Sequence, residues 1–455
     1  MREYIQVKSS DPPIITPWLA PSDWIDISNV GNNEINLLIT EGAGIGFIVK
    51  VGTGTGTYSI DWGDGTVENV LLGDGTTVRQ HQHTINGTPC SLGYNTWKIR
   101  IYDASTNITI WKVAKHTFTN RPQNHPILSV NFGTQGITDY SNTFYSNNIT
   151  CKILKKCNIS SFVSVTNTNQ MFYNCYALVS ITLPESWGSV TNANSMFYFC
   201  YSLSSITMPT TWGLVTNPSH MFNSCFCIDH VTLPSSWSSV NDASSMFAYC
   251  YSLSTVTIPN SFGNISNTSY MFYACNALCY ISIPTSWGLV DNVTNMFSSC
   301  GSLASIILPG SWGSVTNTSS MFNYCTSLKT ITNIQYLGSL TVQSDFTDFM
   351  KECEFVQQNI TINSRLSKIG IYGASGYILK VPSIRLTNSG STFNGGSPQI
   401  NISYTSLGQA ALVLLFGDLP TLTSKTINIT GCTGSAALTA PERAIATNKG
   451  WTIIG

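Results

Sequence analysis

The sequence predicts a mainly β protein in which an N-terminal β-sandwich is followed by a solenoid of 25-residue coils. Two observations carry this. Met-Phe recurs without insertion or deletion at Met171, Met196, Met221, Met246, Met271, Met296 and Met321, each followed by phenylalanine. Upstream, short β-rich runs are separated by turn residues at sandwich-like spacing. A strict period of this length marks units too small to bury their apolar side alone, so neighbours must cover one another.

Other columns run in phase with Met-Phe. Cysteine falls at Cys175, Cys200, Cys225, Cys250, Cys275, Cys300 and Cys325, and an aliphatic residue follows three positions later, from Leu178 to Leu328. A short alternating run comes next, as in Ile181-Thr-Leu183-Pro184; it predicts a strand with one buried face, stopped by a proline that cannot donate to a ladder. An aromatic-glycine turn such as Trp187-Gly188, then an aliphatic residue and an asparagine such as Val190 and Asn192, close the unit. Strands of successive coils are expected to pair in parallel at roughly 4.8 Å, so that seven coils span on the order of 34 Å. The repeated asparagine is expected to bond its amide to corner backbone groups of its own and the adjacent coil.

The pattern Met-Phe-x-x-Cys-x-x-Leu-x-x-Ile-x-Leu-Pro resembles the BspA-type leucine-rich repeats. The Trp-Gly-x-Val-x-Asn-x-x-x-Met-Phe half also resembles related repeats of mycoplasma and Bacteroidetes surface proteins. The resemblance implies a leucine-rich-repeat solenoid and a role in adhesion or recognition, without naming a ligand.

Taken in order, residues 1–35 read as an extended arm whose Trp18 and Trp24 are candidate anchors on a partner. Residues 36–118 are the predicted sandwich. There Ser59-Ile-Asp61-Trp62-Gly63-Asp64-Gly65-Thr66, with His83-Thr84 and a strand ending Tyr102-Asp103, is similar to the PKD-type immunoglobulin-like domain, although Ile85 replaces the usual aromatic. His81, His83, Asp61 and Asp64 invite a metal reading; the glycines and aspartates are better explained as a turn, and no metal is expected. Residues 119–170 form a junction and an atypical capping coil, 171–331 the regular repeats, and 332–455 irregular repeats with a C-terminal cap. In that last part Ser406 is expected to cap a helix over Leu407–Phe416, and a second helix is expected between Thr439 and Gly450.

Composition narrows the function. Charged residues make up 9% and the net charge is −1, which excludes an electrostatic footprint for nucleic acid. No run of about 20 apolar residues supports membrane insertion. The cysteine column is expected to be reduced core thiol. The regular repeats hold only Glu185, Asp229, Asp242 and Asp291 as carboxylates, with no nucleophile elbow, phosphate loop or zinc signature, so neither an enzyme nor a cofactor is expected. Two surfaces are candidate ligand sites. One is the aromatic column Tyr176, Tyr201, Phe226 and Tyr251, suited to stacking on sugars or anchoring a protein; the other is the outward strand face, where Asp229, His230 and Tyr280 break a row of serines and threonines.

The first residues lack the apolar core of a secretory signal. The expected function is therefore a phage virion component, a tail fibre or spike that recognises a host surface glycan or protein. On that reading the arm would dock on other virion proteins and a homo-oligomer is possible. The alternative is a bacterial cell-surface adhesin of the BspA type.

Overall fold

A computed structural model of the 455-residue chain describes residues 26–30, 34–40, 45–51, 57–71, 78–81, 87–89, 95–102, 108–113, 127–133, 137–145, 154–235, 237–258, 264–284, 289–310, 314–337, 344–353, 355–363, 365–374, 378–388 and 390–455. The fold is mainly β, with a solenoid of about 12 turns and few helices.

Among the described residues, eight strands come first: β1 (Glu34–Thr40), β2 (Ile45–Val51), β3 (Thr57–Asp61), β4 (Val67–Leu71), β5 (Val78–His81), β6 (Thr88–Pro89), β7 (Asn95–Tyr102) and β8 (Ile108–Val113). One antiparallel set runs β1-β7-β3-β4 with β6 beside β7, and another runs β5-β2-β8. The β3–β4 turn explains its aspartates. Asp61 Oδ1 accepts from Gly63 N at 3.0 Å, and Asp64 Oδ1 from Thr66 N at 3.0 Å. Gly63 sits at φ 80°, where a Cβ would lie 2.2 Å from the Lys98 carbonyl oxygen, so only glycine fits.

This first sheet does not end where the solenoid begins. Strand β9 (Ile127–Phe132) pairs antiparallel with β1 and parallel with β10 (Lys156–Ile159), which in turn pairs with β11 (Ser180–Thr182). The first coils therefore have a covered edge rather than an open ladder. An amide relay stitches the junction: Asn158 Nδ2 donates to Asn131 Oδ1, and Asn131 Nδ2 to the Ile27 carbonyl, both at 2.6 Å.

In the regular coils β12 (His230–Thr232) pairs in parallel with β13 (Thr255–Thr257), and β14 (Ser305–Ile307) with β15 (Thr330–Thr332), each in a 25-residue register. Each strand buries its middle residue and exposes the two flanking ones. Among the described residues, 205–207 and 280–282 keep that alternation without joining a ladder, so the strand face is less continuous than the sequence predicts. Denser pairing lies at the asparagine corner. There Thr168, Gln170, Phe172 and Asn174 each donate their backbone N–H to the next coil at 2.8–2.9 Å. Three-residue strands offer few bonds per coil, and the corner offers more.

The corner asparagines work differently from expectation. The side-chain oxygen, not the amide NH2, is the group used, and within its own coil: Asn192 Oδ1 accepts from Asn194 N at 3.0 Å and Asn217 Oδ1 from Ser219 N at 3.0 Å. These are Asx turns. An acceptor alone suffices, which is why Asp242 and Asp345 serve at the same corner, at 2.9 and 2.8 Å.

The column thiols from Cys175 to Cys325 are free and buried, and each is anchored by a bond to a backbone carbonyl of the preceding coil. Cys225 Sγ donates to Phe197 O at 3.2 Å, Cys250 to Phe222 O at 3.1 Å, Cys275 to Phe247 O at 3.1 Å and Cys325 to Phe297 O at 3.0 Å. Burial pushes the thiols up, to about 12 for Cys300 and Cys353. The phenylalanines stack along the axis with centroids 5.4–5.7 Å apart from Phe172 to Phe322. Trp187, Trp212 and Trp237 form a second buried stack. Phe262, Trp287 and Trp312 of that column lie outside the described residues.

Past the 25-residue register, coils continue as β16 (Ser344–Phe346), β17 (Ile360–Ile362), β18 (Leu366–Gly370), β19 (Ile384–Leu386), β20 (Ile400–Asn401), β21 (Lys425–Asn428) and β22 (Trp451–Ile454), with helices α1 (Gln409–Asp418) and α2 (Ala440–Thr447). One parallel sheet runs β16-β18-β20-β21-β22 and a smaller one pairs β17 with β19. Helix α1 starts later than the sequence predicts, with Gly408 at its N-cap. Ser406 is not the cap because its hydroxyl donates to Val381 O of the preceding coil at 3.0 Å. Helix α2 starts as expected, with Glu442 accepting from Thr439 N at 2.7 Å; it ends at Thr447, and the turn that follows closes on Gly450 at φ 85°.

Candidate functional site: an aromatic edge

The Met-Phe-x-x-Cys segment of every coil is two tight turns, and each turn places a residue in left-handed conformation. The pairs are Gln170/Asn174, Ser195/Phe199, His220/Ser224, Ser245/Tyr249, Tyr270/Ala274, Asn295/Ser299 and Ser320/Tyr324, all at φ between 54° and 67°. A non-glycine residue there costs roughly 1–2 kcal/mol. The cost is offset by ladder bonds from these same residues, among them Phe199 N to Asn223 O at 3.0 Å and Tyr249 N to Tyr273 O at 2.7 Å. Thus the backbone of this edge is fixed while its side chains vary from coil to coil.

Aromatic rings gather on that edge. Tyr176, Tyr201, Phe226 and Tyr251 stack face to face, with centroids 4.7, 4.4 and 5.0 Å apart and planes within 5°, 8° and 27°. Beside them Tyr173 stacks on Tyr198 at 5.0 Å and 7°. Other rings stand across the stack: Phe199 is at 70° to Tyr201, and Tyr249 at 83° to Tyr251. Partial burial raises the hydroxyls of Tyr173, Tyr176, Tyr198 and Tyr201, so the edge is uncharged through the physiological range. Stacking has a chemical consequence. Both faces of Tyr201 and Phe226 are covered by their neighbours, so these two rings offer only edges to a partner, not the free faces that sugar stacking needs.

The scaffold that presents this edge matches a known family. The model of the BspA type leucine rich repeat region fits in six copies over residues 140–270 and 243–372, which together span just over half of the chain. This chain belongs to the BspA-type leucine-rich repeat family. No curated protein and no solved structure matches it.

Within the BspA-type scaffold the structure places the other sequence-predicted residues as follows. Asp229 and His230 are exposed on the strand face, with His230 Nδ1 2.5 Å from Asp229 Oδ1. The Asp229 carbonyl is occupied by Ser254, which donates its N–H at 2.9 Å and its hydroxyl at 3.1 Å. Tyr280, 56% exposed, lies on one of the two extended stretches outside the ladders. Among the described residues no three metal-ligating side chains cluster. The side chain of His81 and all of His83, Trp18 and Trp24 lie outside the described residues.

Sequence reasoning missed the crossed rings and the left-handed positions that carry some of them. A signal was present: asparagine, tolerant of that conformation, stands at Asn174 and Asn295 in the two columns concerned.

Proposed function

We propose that this BspA-type protein is a non-enzymatic adhesin or binding protein of a bacterial surface, whose solenoid is a rigid display rod and whose aromatic edge makes contact. The carrying observation is the division of labour within each coil. Met, Phe, Cys and Leu fill the core and Asn or Asp the corner in coil after coil, whereas the edge positions beside cysteine change freely on an unchanged backbone. Family membership supports recognition, and the scarcity of charge supports uncharged partners, a host surface glycan or protein. The virion reading depended on residues 1–35, most of which lie outside the described residues, and the family match favours the adhesin. We read the N-terminal sheets as a PKD-like element that carries and caps the rod.

The test couples binding with chemistry. Beads coated with the full chain should hold to host-cell surfaces and extracellular matrix while releasing no new reducing ends from surface polysaccharide. Release of such ends would make the chain an enzyme. Labelling of intact producing cells should find it outside; finding it only in gradient-purified phage particles would restore the virion reading.

A further inference from the structure

Building on the adhesin reading, we propose that Tyr249, Tyr251, Tyr270 and Tyr273, from two consecutive coils, form a subsite for an uncharged sugar ring of a glycan. The stacked ladder ends at Tyr251 because the next coil has Asn276 in that column. Beyond it the rings cross rather than stack. Tyr249 stands at 76° to Tyr273 with centroids 5.2 Å apart, and Tyr270 at 57° to Tyr273 at 5.5 Å. Rings crossed at 57–83° form no continuous face-to-face stack in these two coils. Tyr249, Tyr251 and Tyr270 are 39–40% exposed, high for aromatic side chains beside a packed core.

The fold does not require these rings. In other coils the Tyr249 column holds Ser224 and Ser299 at the same left-handed geometry, and the Tyr270 column holds Ser245 and Ser320. Four tyrosines in adjoining coils are therefore additions to a scaffold that stands without them.

Chemistry selects the occupant. From Ala243 to Tyr280 the chain has no Asp, Glu, Lys, Arg or His, so a charged ligand would find no counter-charge. An apolar peptide would offer no hydrogen-bonding partner to the exposed Asn276 amide or to the phenol hydroxyls of Tyr270 and Tyr273. A pyranose satisfies both features: its C–H face lies on an aromatic face, and its hydroxyl rim bonds to phenols and amides.

The test titrates the full chain with cellohexaose, laminarihexaose and mannohexaose as neutral probes, heparin as an anionic one and tetramethylammonium as a cationic one. Calorimetry and tyrosine fluorescence report binding. At least one neutral hexasaccharide should bind, with little dependence on salt. Tyr249→Ser and Tyr270→Ser should each weaken it about tenfold, and Leu289→Ser, at an exposed turn in another column, should leave it unchanged. Thermal unfolding of each variant separates a binding defect from misfolding. The proposal is overturned if only heparin or tetramethylammonium binds, if the two serine variants bind like the parent, or if the edge instead holds two copies of the chain together in sedimentation. A chain that adheres to cells but binds no neutral saccharide sinks the subsite and spares the adhesin reading; a chain that adheres to nothing sinks the adhesin reading itself.

Discussion

At the corner of each coil one oxygen atom does the structural task, and the asparagine that carries it is replaceable by anything that keeps the acceptor. Asn192→Asp should therefore be nearly neutral, whereas Asn192→Ala, which orphans the Asn194 N–H, should cost about 1 kcal/mol in chemical denaturation. The cysteines are more demanding, because each fills a core position and also donates to a carbonyl of the preceding coil. Cys250→Ala should lose about 1–3 kcal/mol from the cavity and the lost bond together. Burial also makes these thiols inert. Brief maleimide treatment of native protein followed by peptide mass spectrometry should label the exposed Cys279 and, more slowly, the half-buried Cys227, while the column from Cys175 to Cys325 stays unmodified until the fold is melted. Modification of that column in the native state would contradict the packing described.

The coil is the element of this protein, and its behaviour follows from period rather than from identity. Removing residues 246–270 brings Met271 into the place of Met246 and should leave a folded chain, whereas removing 246–257 puts every column out of register and should unfold the rod, as limited proteolysis would report. Stacked tyrosines and buried thiols also set a pH limit. Their folded pKa values lie above the unfolded ones, so the unfolded chain loses protons first, and stability is full below about pH 8.5 and declines as pH rises through the thiol and then the tyrosine range. Urea midpoints between pH 7.5 and 10.5 should fall monotonically. The core columns were legible in the sequence because a 25-residue spacing forces Met171, Cys175 and Leu178 onto the same interior. Other features were not, because they depend on what a neighbouring coil happens to offer: the late start of α1 follows from the Val381 carbonyl taking Ser406, and the crossed ring of Tyr249 follows from Tyr273 one coil away. The joining of β1 to β9 had no periodic signal at all, since the two strands lie far apart in the chain.

For the whole molecule, these parts make a rod on the order of 60 Å long, capped at one end by the N-terminal sheet and closed toward the other by α1 and α2. On the proposed reading, a buried, thiol-anchored core carries stability and the aromatic edge carries recognition. The measurement that tests this most directly compares adhesion and melting on one quadruple variant, Tyr249→Ser, Tyr251→Asn, Tyr270→Ser and Tyr273→Ser, whose new residues already occur in those columns of other coils. A melting temperature within about 5 °C of the parent, with adhesion to the surface it recognises abolished, is the expected result. Full adhesion in a folded variant would show that recognition lies elsewhere on the rod, and collapse of the fold would show that the edge is core after all.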